Sequence, residues 1–302
     1  MPTMRDIKRR IASVKSTQQI TRAMKMVAAA RLRRAQERLL AVRPYSHDLA
    51  AMAMSVLRLL EFPDLPLIVP PAKDAPLALV LFTGDRGLCG AFNNNLLRAA
   101  RGRLEELVAE GRKVRLITVG RKGARFFSAH YGRHPDAAVE LEDWPGLYES
   151  ASMAGFLRLA ARLEEDIAAG RLSGVRVIFS LFHSVVKQVP VERQLVPIEE
   201  EGFRAAMNGE KRELPAEPLV EPDAASAARA LFVRFLAVGL YRALMENWTS
   251  EMGARMTAMD AATNNADELI ETLTLEFNKA RQAAITREIV DITGGAEALK
   301  QQ

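Results

Sequence analysis

Few stretches of this 302-residue chain combine residue types and spacings that could do chemistry. The clearest is Gly84-Asp85-Arg86-Gly87-Leu88-Cys89-Gly90, which follows an apolar run of strand length and precedes an amphipathic one. That is where open α/β sheets bind phosphate, on loop amides and a helix N-terminus. Its glycines depart from G-x-G-x-x-G, and G-x-x-x-x-G-K-[ST] occurs nowhere. A tight structural turn is the favoured reading, with a phosphate loop as its alternative. Cys89 has no neighbouring histidine or other base to activate it and reads as a small buried hydrophobe. His47, His130, His134 and His183 are scattered. His130 and His134 are four apart, as metal ligands on one helix face can be, but Gly132 and Pro135 place them in a turn. Glu164, Glu165 and Asp166 read as the solvated face of a helix. No cofactor, metal or catalytic residue is expected.

The strongest isolated signal is charge. Residues 1–43 hold twelve Lys or Arg against Asp6 and Glu37, a local charge of +10 in a chain whose total is +5. Lys8, Arg9, Arg10, Lys15, Arg22, Lys25, Arg31, Arg33, Arg34 and Arg38 could meet nucleic acid, anionic lipid or an acidic protein surface. A solvated coiled-coil exterior usually carries both signs, so a helix of nearly one sign favours an anionic partner. Aromatic residues for base stacking are missing from residues 1–44, which weakens the nucleic-acid reading.

These residues need elements to position them, and proline and glycine mark the boundaries. There is no proline between Pro2 and Pro44, no glycine before Gly84 and no proline after Pro222, so both ends read as long helices. In the C-terminal one, Met252, Met256, Met259, Thr263, Ala266, Ile270, Leu273, Phe277, Ala280 and Ala284 alternate steps of four and three, the seam of a left-handed coiled coil. The N-terminal seam runs Ile7, Ile11, Val14, Gln18, Thr21, Lys25, Ala28, Leu32, Ala35, Leu39 and Val42. Its middle is polar, and Ile20, Met24 and Val27 lie on a neighbouring face, so the apolar stripe is expected to shift around the helix there. The two helices pair most economically with each other, antiparallel.

Between them, strands at Leu77–Thr83, Val114–Val119, Ala138–Leu141, Val175–Phe182 and Val189–Ile198 alternate with helices at Asn93–Glu110, Arg121–His130 and Ser152–Ala169. This order predicts a small Rossmann-like three-layer α/β domain with a largely parallel sheet, inserted into an antiparallel coiled coil. The expected division is a coiled-coil helix over 1–60, the α/β domain over 74–200, a linker over 201–223 and the second coiled-coil helix over 224–302. That second helix is longer than its partner, so Ile285, Ile289, Ile292 and Leu299 should project unpaired and need another protein to cover them. No apolar run approaches the ~18–20 residues of a membrane span, the N-terminus lacks the apolar core of a signal peptide, and a lone cysteine suits a reducing compartment.

On several of these residues the chain resembles the gamma subunits of F-type ATP synthases. The matching stretches are Ile11-Ala12-Ser13-Val14, Thr17 to Ala30, Asp85 to Gly90 with Asn93, Ala254 to Asn265 and Asn278 to Thr286, in family order along the whole chain. The resemblance implies a central rotor stalk inside a ring of three alpha and three beta chains, standing on a membrane c-ring beside an epsilon subunit. It implies that ATP chemistry belongs to the beta chains. Carried over by position, Arg281 and Gln282 would hydrogen-bond a beta loop, and Arg22, Met24 and Lys25 would meet a beta chain's acidic lever. Ile285, Ile289 and Ile292 would form the apical bearing, and Leu219, Val220 and Glu221 the foot on the c-ring and epsilon. Membrane contact would pass through those partners only, on the cytoplasmic face of a bacterial plasma membrane. The rival reading is a nucleotide-binding α/β enzyme that uses the coiled coil to oligomerise.

Overall fold

The computed structural model describes residues 3–57, 59–60, 65–70, 72, 74–132, 138–199, 220–221 and 223–300, without the side chains of 43, 291 and 294–300. Along the chain run α1 (Met4–Leu57), β1 (Leu77–Phe82), α2 (Phe92–Ala109), β2 (Val114–Val119), α3 (Arg121–Tyr131) and β3 (Val139–Asp143). Then come α4 (Leu147–Ser150), α5 (Met153–Ala168), β4 (Gly174–Ser184), β5 (Lys187–Val196) and α6 (Ala224–Lys300). The chain divides into two compact units, Met1–Ala28 with Met256–Gln302, and Ala29–Arg255.

In the larger unit the sheet order is β3-β2-β1-β4-β5, parallel except for β5, which returns from β4 as a hairpin. Strand alternation feeds two apolar layers. Leu77, Leu79 and Leu81 of β1 face Leu96, Ala100, Leu104 and Leu107 of α2 and Phe127 of α3. Ala78, Val80 and Phe82 face Phe156, Leu159, Leu163 and Ile167 of α5. That second layer also contains α6, through Phe232, Leu236 and Leu240, and α1, through Leu39, Ala50, Ala53 and Val56. The two long helices therefore build one layer of the α/β unit and do not merely adjoin it. Each large side chain so buried contributes roughly 1.5–3 kcal/mol.

Helix α1 continues through Pro44 to Leu57, within the 1–60 expected for it, while one other expectation changes. The first part of α6 contains an 18-residue window of mean hydropathy 1.4, apolar enough by length and composition to cross a membrane, contrary to the sequence reading. A third of that window is buried inside the protein, Ala228, Phe232, Leu236, Ala237 and Leu240 among it, in the core.

In the smaller unit α1 and α6 pair. Helix α1 begins at a capping box, with the Thr3 hydroxyl donating to Asp6 at 2.6 Å and the Asp6 amide donating to Thr3 Oγ1 at 3.3 Å. The Thr3 hydroxyl and the Thr3 amide, which donates to Asp6 Oδ2 at 3.2 Å, hold the Asp6 carboxyl below the usual carboxylate range. Ile7, Ala28, Met259, Ala266 and Leu273 are buried at the seam, which follows the spacing of 3.5. The apolar stripe does not shift in the middle. Ile20 and Val27 are 57% and 52% exposed, and the seam stays on Gln18, Thr21 and Lys25. The reason is complementarity across the pair. Gln18 Nε2 donates to Asp267, the Thr21 and Thr263 hydroxyls meet at 2.8 Å, and Lys25 Nζ donates to Asp260 at 2.5 Å. Partners that rise along α1 fall along α6, so the pair is antiparallel. The same register brings Ile7 level with Phe277 and Thr3 level with Gln282. Beyond Gln282 no described residue of α1 lies opposite α6.

Candidate functional site

A doubly wound sheet offers a ligand crevice at the carboxyl ends of the strands where the strand order reverses, here between β1 and β4. In this molecule α6 fills it. Asn247 Oδ1 accepts from the Ser180 amide at 2.9 Å, Ser250 Oγ donates to the Ser180 carbonyl at 2.9 Å, and Glu246 accepts from the Phe182 amide at 3.2 Å. The Glu251 carboxylate lies at the mouth of the Gly84–Gly90 loop. It accepts from the Tyr148 hydroxyl and, at 2.5 Å, from Arg255, which also donates to the Gly87 carbonyl at 3.2 Å. A Cβ on Gly84 would stand 2.9 Å from Glu251 Oε1, so the absence of a side chain there is what admits the carboxylate. The Gly84 amide is taken by Asn93 Oδ1 at 2.9 Å.

The loop is thus a tight turn, with Leu88 and Gly90 at φ 61° and 58°, and its anionic neighbour is a side chain of the same protein. Burial pushes the Tyr148 hydroxyl well above its ordinary pKa, reinforced by the Glu251 charge, so Tyr148 stays a neutral donor. Burial and then Glu251 likewise raise the Cys89 thiol, the opposite of nucleophile activation.

Two of the three acids on α5 depart from the expected solvated role, while Glu165 keeps it and is exposed. Glu164 and Asp166 are buried. Glu164 receives both the Nε and an Nη of Arg229 at 2.7 and 2.9 Å. Asp166 accepts from Arg171 at 2.6 Å, from Arg115 at 2.5 Å and from Arg162 at 3.4 Å. Burial raises the Asp166 pKa, and the Arg171 and Arg115 hydrogen bonds outweigh it, leaving the carboxyl below its usual range. His130 lies inside α3, stacked on Phe126, and not in a turn; His134 falls outside the described residues. Among the described residues no three His, Cys, Asp or Glu are grouped to hold a metal ion.

The interaction residues divide by exposure. On α1, Lys8, Arg9, Arg10, Lys15, Arg22, Arg31, Arg33, Arg34 and Arg38 are exposed, while Met24 and Lys25 are half-buried at the seam. Arg33 pairs with Glu37 at 3.3 Å, and Arg38 lies over the Trp248 ring. On α6, Arg281 and Gln282 are exposed, and Ile285, Ile289, Val290 and Ile292 are 48% to 68% exposed. The side chain of Leu299 lies outside the described set, as does Leu219, whereas Val220 is half-buried and Glu221 exposed. Sequence reasoning missed Tyr148, Asn247 and Glu251, and the partnership of Asp260 and Asp267 with Lys25 and Gln18. The signal available was a polar run, Glu246 to Glu251, broken only by Trp248, in an otherwise apolar stretch of helix.

Comparison with known proteins adds a second, independent line. A family model described as ATP synthase matches residues 3–299. The ATP synthase gamma chain of Rhizobium leguminosarum bv. trifolii (strain WSM2304) is 42% identical over 302 residues, covering 99% of this chain and all of the relative. That of Chelativorans sp. (strain BNC1) is 41% identical over 300 residues with the same coverage. Among solved structures, a chain of the Euglena gracilis mitochondrial ATP synthase (OSCP/F1/c-ring) superposes with a TM-score of 0.64 at 19% identity, covering 98% of this chain and 94% of that one. One from the central stalk and c-ring of the Tetrahymena thermophila enzyme gives 0.54 at 23%, covering 80% and 99%. The structural matches establish a common fold, and the full-length sequence matches establish descent: the chain belongs to the ATP synthase gamma-chain family.

Proposed function

We propose that this chain is the central rotor stalk of an F-type ATP synthase, coupling ion-driven rotation of a membrane c-ring to ATP synthesis or hydrolysis on other chains. The observation that carries the proposal is the end of α6. After the pairing with α1 stops, Ile285, Ile289, Val290 and Ile292 stand bare on a continuing helix, an arrangement that calls for an enclosing protein. Membership of the family supports it, as does an α/β crevice filled by the chain's own side chains, which leaves the ligand position of a nucleotide enzyme occupied.

In this reading the chain itself is non-catalytic. Its partners are alpha and beta chains around the helix pair, with epsilon and the c-ring at a foot formed by Leu219, Val220 and Glu221, on the cytoplasmic face of a bacterial plasma membrane. Arg22, Met24 and Lys25 face an acidic beta lever, and Arg281 and Gln282 hydrogen-bond a beta loop. Ile285, Ile289 and Ile292 turn in an apolar sleeve. Lys25 shares its charge with Asp260, so the exposed Arg22 is the stronger anchor for an acidic partner. Chemically identical beta sites can differ only if something asymmetric touches them, and a helix pair basic on one strand does so. Different contacts with each state of each site supply the coupling free energy. Affinity purification of the tagged chain from its own cells tests the assignment. Co-elution of an ATPase containing two larger chains, each in three copies per copy of this one, is expected. Recovery of the chain alone, or with nucleic acid, would overturn it.

A further inference from the structure

The contacts at the β1–β4 crevice do something that apolar packing cannot. Hydrophobic contact resists separation but has no direction, so a helix held only by it can turn about its axis or slide. Glu251 ties two separate segments to one point of α6: α4 through Tyr148, and the loop after β1 both through the close approach to Gly84 and through Arg255 to the Gly87 carbonyl. One turn earlier, Asn247 accepts from the Ser180 amide and lies 3.5 Å from the Tyr148 hydroxyl. Half a turn after Glu251, on the other side of the helix, Gly253 has Phe182 and Gln188 at 3.3 and 3.4 Å from where a Cβ would be, so its face of α6 is seated closely on the β4–β5 hairpin. A glycine inside a helix costs about 1 kcal/mol relative to alanine, and this close seat offsets it. Stability is a poor reason to keep a buried carboxylate–guanidinium pair, because well-packed apolar residues commonly serve as well. Fixed orientation is a better one.

We infer that Glu251 is a torque-bearing positioning residue, pinning the rotational and axial setting of α6 against the α/β unit so that force applied to the sheet turns the helix instead of slipping past it. The inference rests on the rotor-stalk reading above. Its mark is loss of coupling without loss of catalysis, because no ATP chemistry is assigned to this chain.

The test uses the whole complex in inverted membrane vesicles, measuring ATP hydrolysis and ATP-driven proton uptake together for wild type, Glu251→Ala, Glu251→Gln, Tyr148→Phe and Leu240→Ala. Leu240 is fully buried in the same unit away from the crevice and serves as a control for stability alone. Glu251→Ala should lower protons moved per ATP hydrolysed by about twofold to thirtyfold, the span of coupling changes that single side chains produce. Glu251→Gln should fall between, and Leu240→Ala should keep the wild-type ratio while lowering the melting temperature. An unchanged ratio in assembled Glu251→Ala complex, or an equal fall in Leu240→Ala, refutes the inference. If Glu251→Ala does not assemble, Glu251→Gln and Tyr148→Phe decide on the same ratio. A wild-type complex that hydrolyses ATP without moving protons would refute the stalk reading itself.

Discussion

Replacing the Thr21–Thr263 layer with valine separates what the polar seam contributes to stability from what it contributes to pairing. The two hydroxyls lie 2.8 Å apart, and each also reaches its own helix, Thr21 to the Gln18 carbonyl at 3.0 Å and Thr263 to the Met259 carbonyl at 2.7 Å. Two protons serve three contacts. Thr21→Val leaves Thr263 bonded to Met259 but without its cross-helix partner, and Thr263→Val leaves Thr21 bonded to Gln18, so either change should cost about 1 kcal/mol. The double variant strands no hydroxyl and puts methyl groups in positions only 8% and 6% exposed. Replacing both partners by apolar groups of like shape is nearly neutral, so the coupling energy should be about 1–2 kcal/mol. Thr and Val have similar helix propensity, which keeps that effect out of the comparison. Native-state hydrogen exchange at residues 18–25 and 260–267 reads the local opening free energy. Each single change should speed exchange about fivefold, and the double change should return it near wild type. Strictly additive losses would refute the reasoning and mean that the hydroxyls act separately.

Three further outcomes are expected. Ala266→Pro, at a seam position between the Thr263 and Asp267 contacts, should cost about 3 kcal/mol or more and uncouple proton flow from ATP synthesis in reconstituted vesicles; normal ATP-driven pumping would count against the stalk. Asp166→Ala should destabilise the isolated chain by about 3 kcal/mol, the low end for a broken buried pair, because Arg162 and Arg171 are over half exposed and can turn to water. The Asp166 carboxyl is held below its usual range, so its contribution is complete above the unfolded value of about 3.9 and lost as pH falls through the folded value; acid titration of the variant should lack that step. Exchanging Ile285, Ile289 and Ile292 for serine should leave the melting temperature of the isolated chain within about 1 °C, since surface changes stay within ±0.5 kcal/mol, while weakening assembly with the catalytic chains on gel filtration.

The spacing of 3.5 made the helix pair legible, because residues set by one partner surface repeat with it regardless of type. What misled was reading that surface by hydrophobicity alone. Ile20 and Val27 look like the better seam and are exposed, whereas Gln18, Thr21 and Lys25 hold the seam because Asp267, Thr263 and Asp260 answer them from more than 230 residues away. The same distance hid the role of Glu164 and Asp166, whose partners Arg229 and Arg115 lie 65 and 51 residues off. The strand and helix alternation gave the sheet. Nothing local in Glu251 announces the crevice it fills, since the Gly84–Gly90 loop that receives it reads equally well as a home for phosphate.

The bare end of α6 also bears on how the chain is made. Isoleucines 48% to 68% exposed on a helix end beyond its pairing with α1 are the kind of surface that chaperones hold and that quality-control proteases recognise. On the stalk reading, a copy synthesised before its partner chains should be short-lived or sticky, and one captured promptly should be protected. Supply of this polypeptide must then be matched to supply of its neighbours, and imbalance should show first as turnover of the orphan, well before any shortage of finished machines.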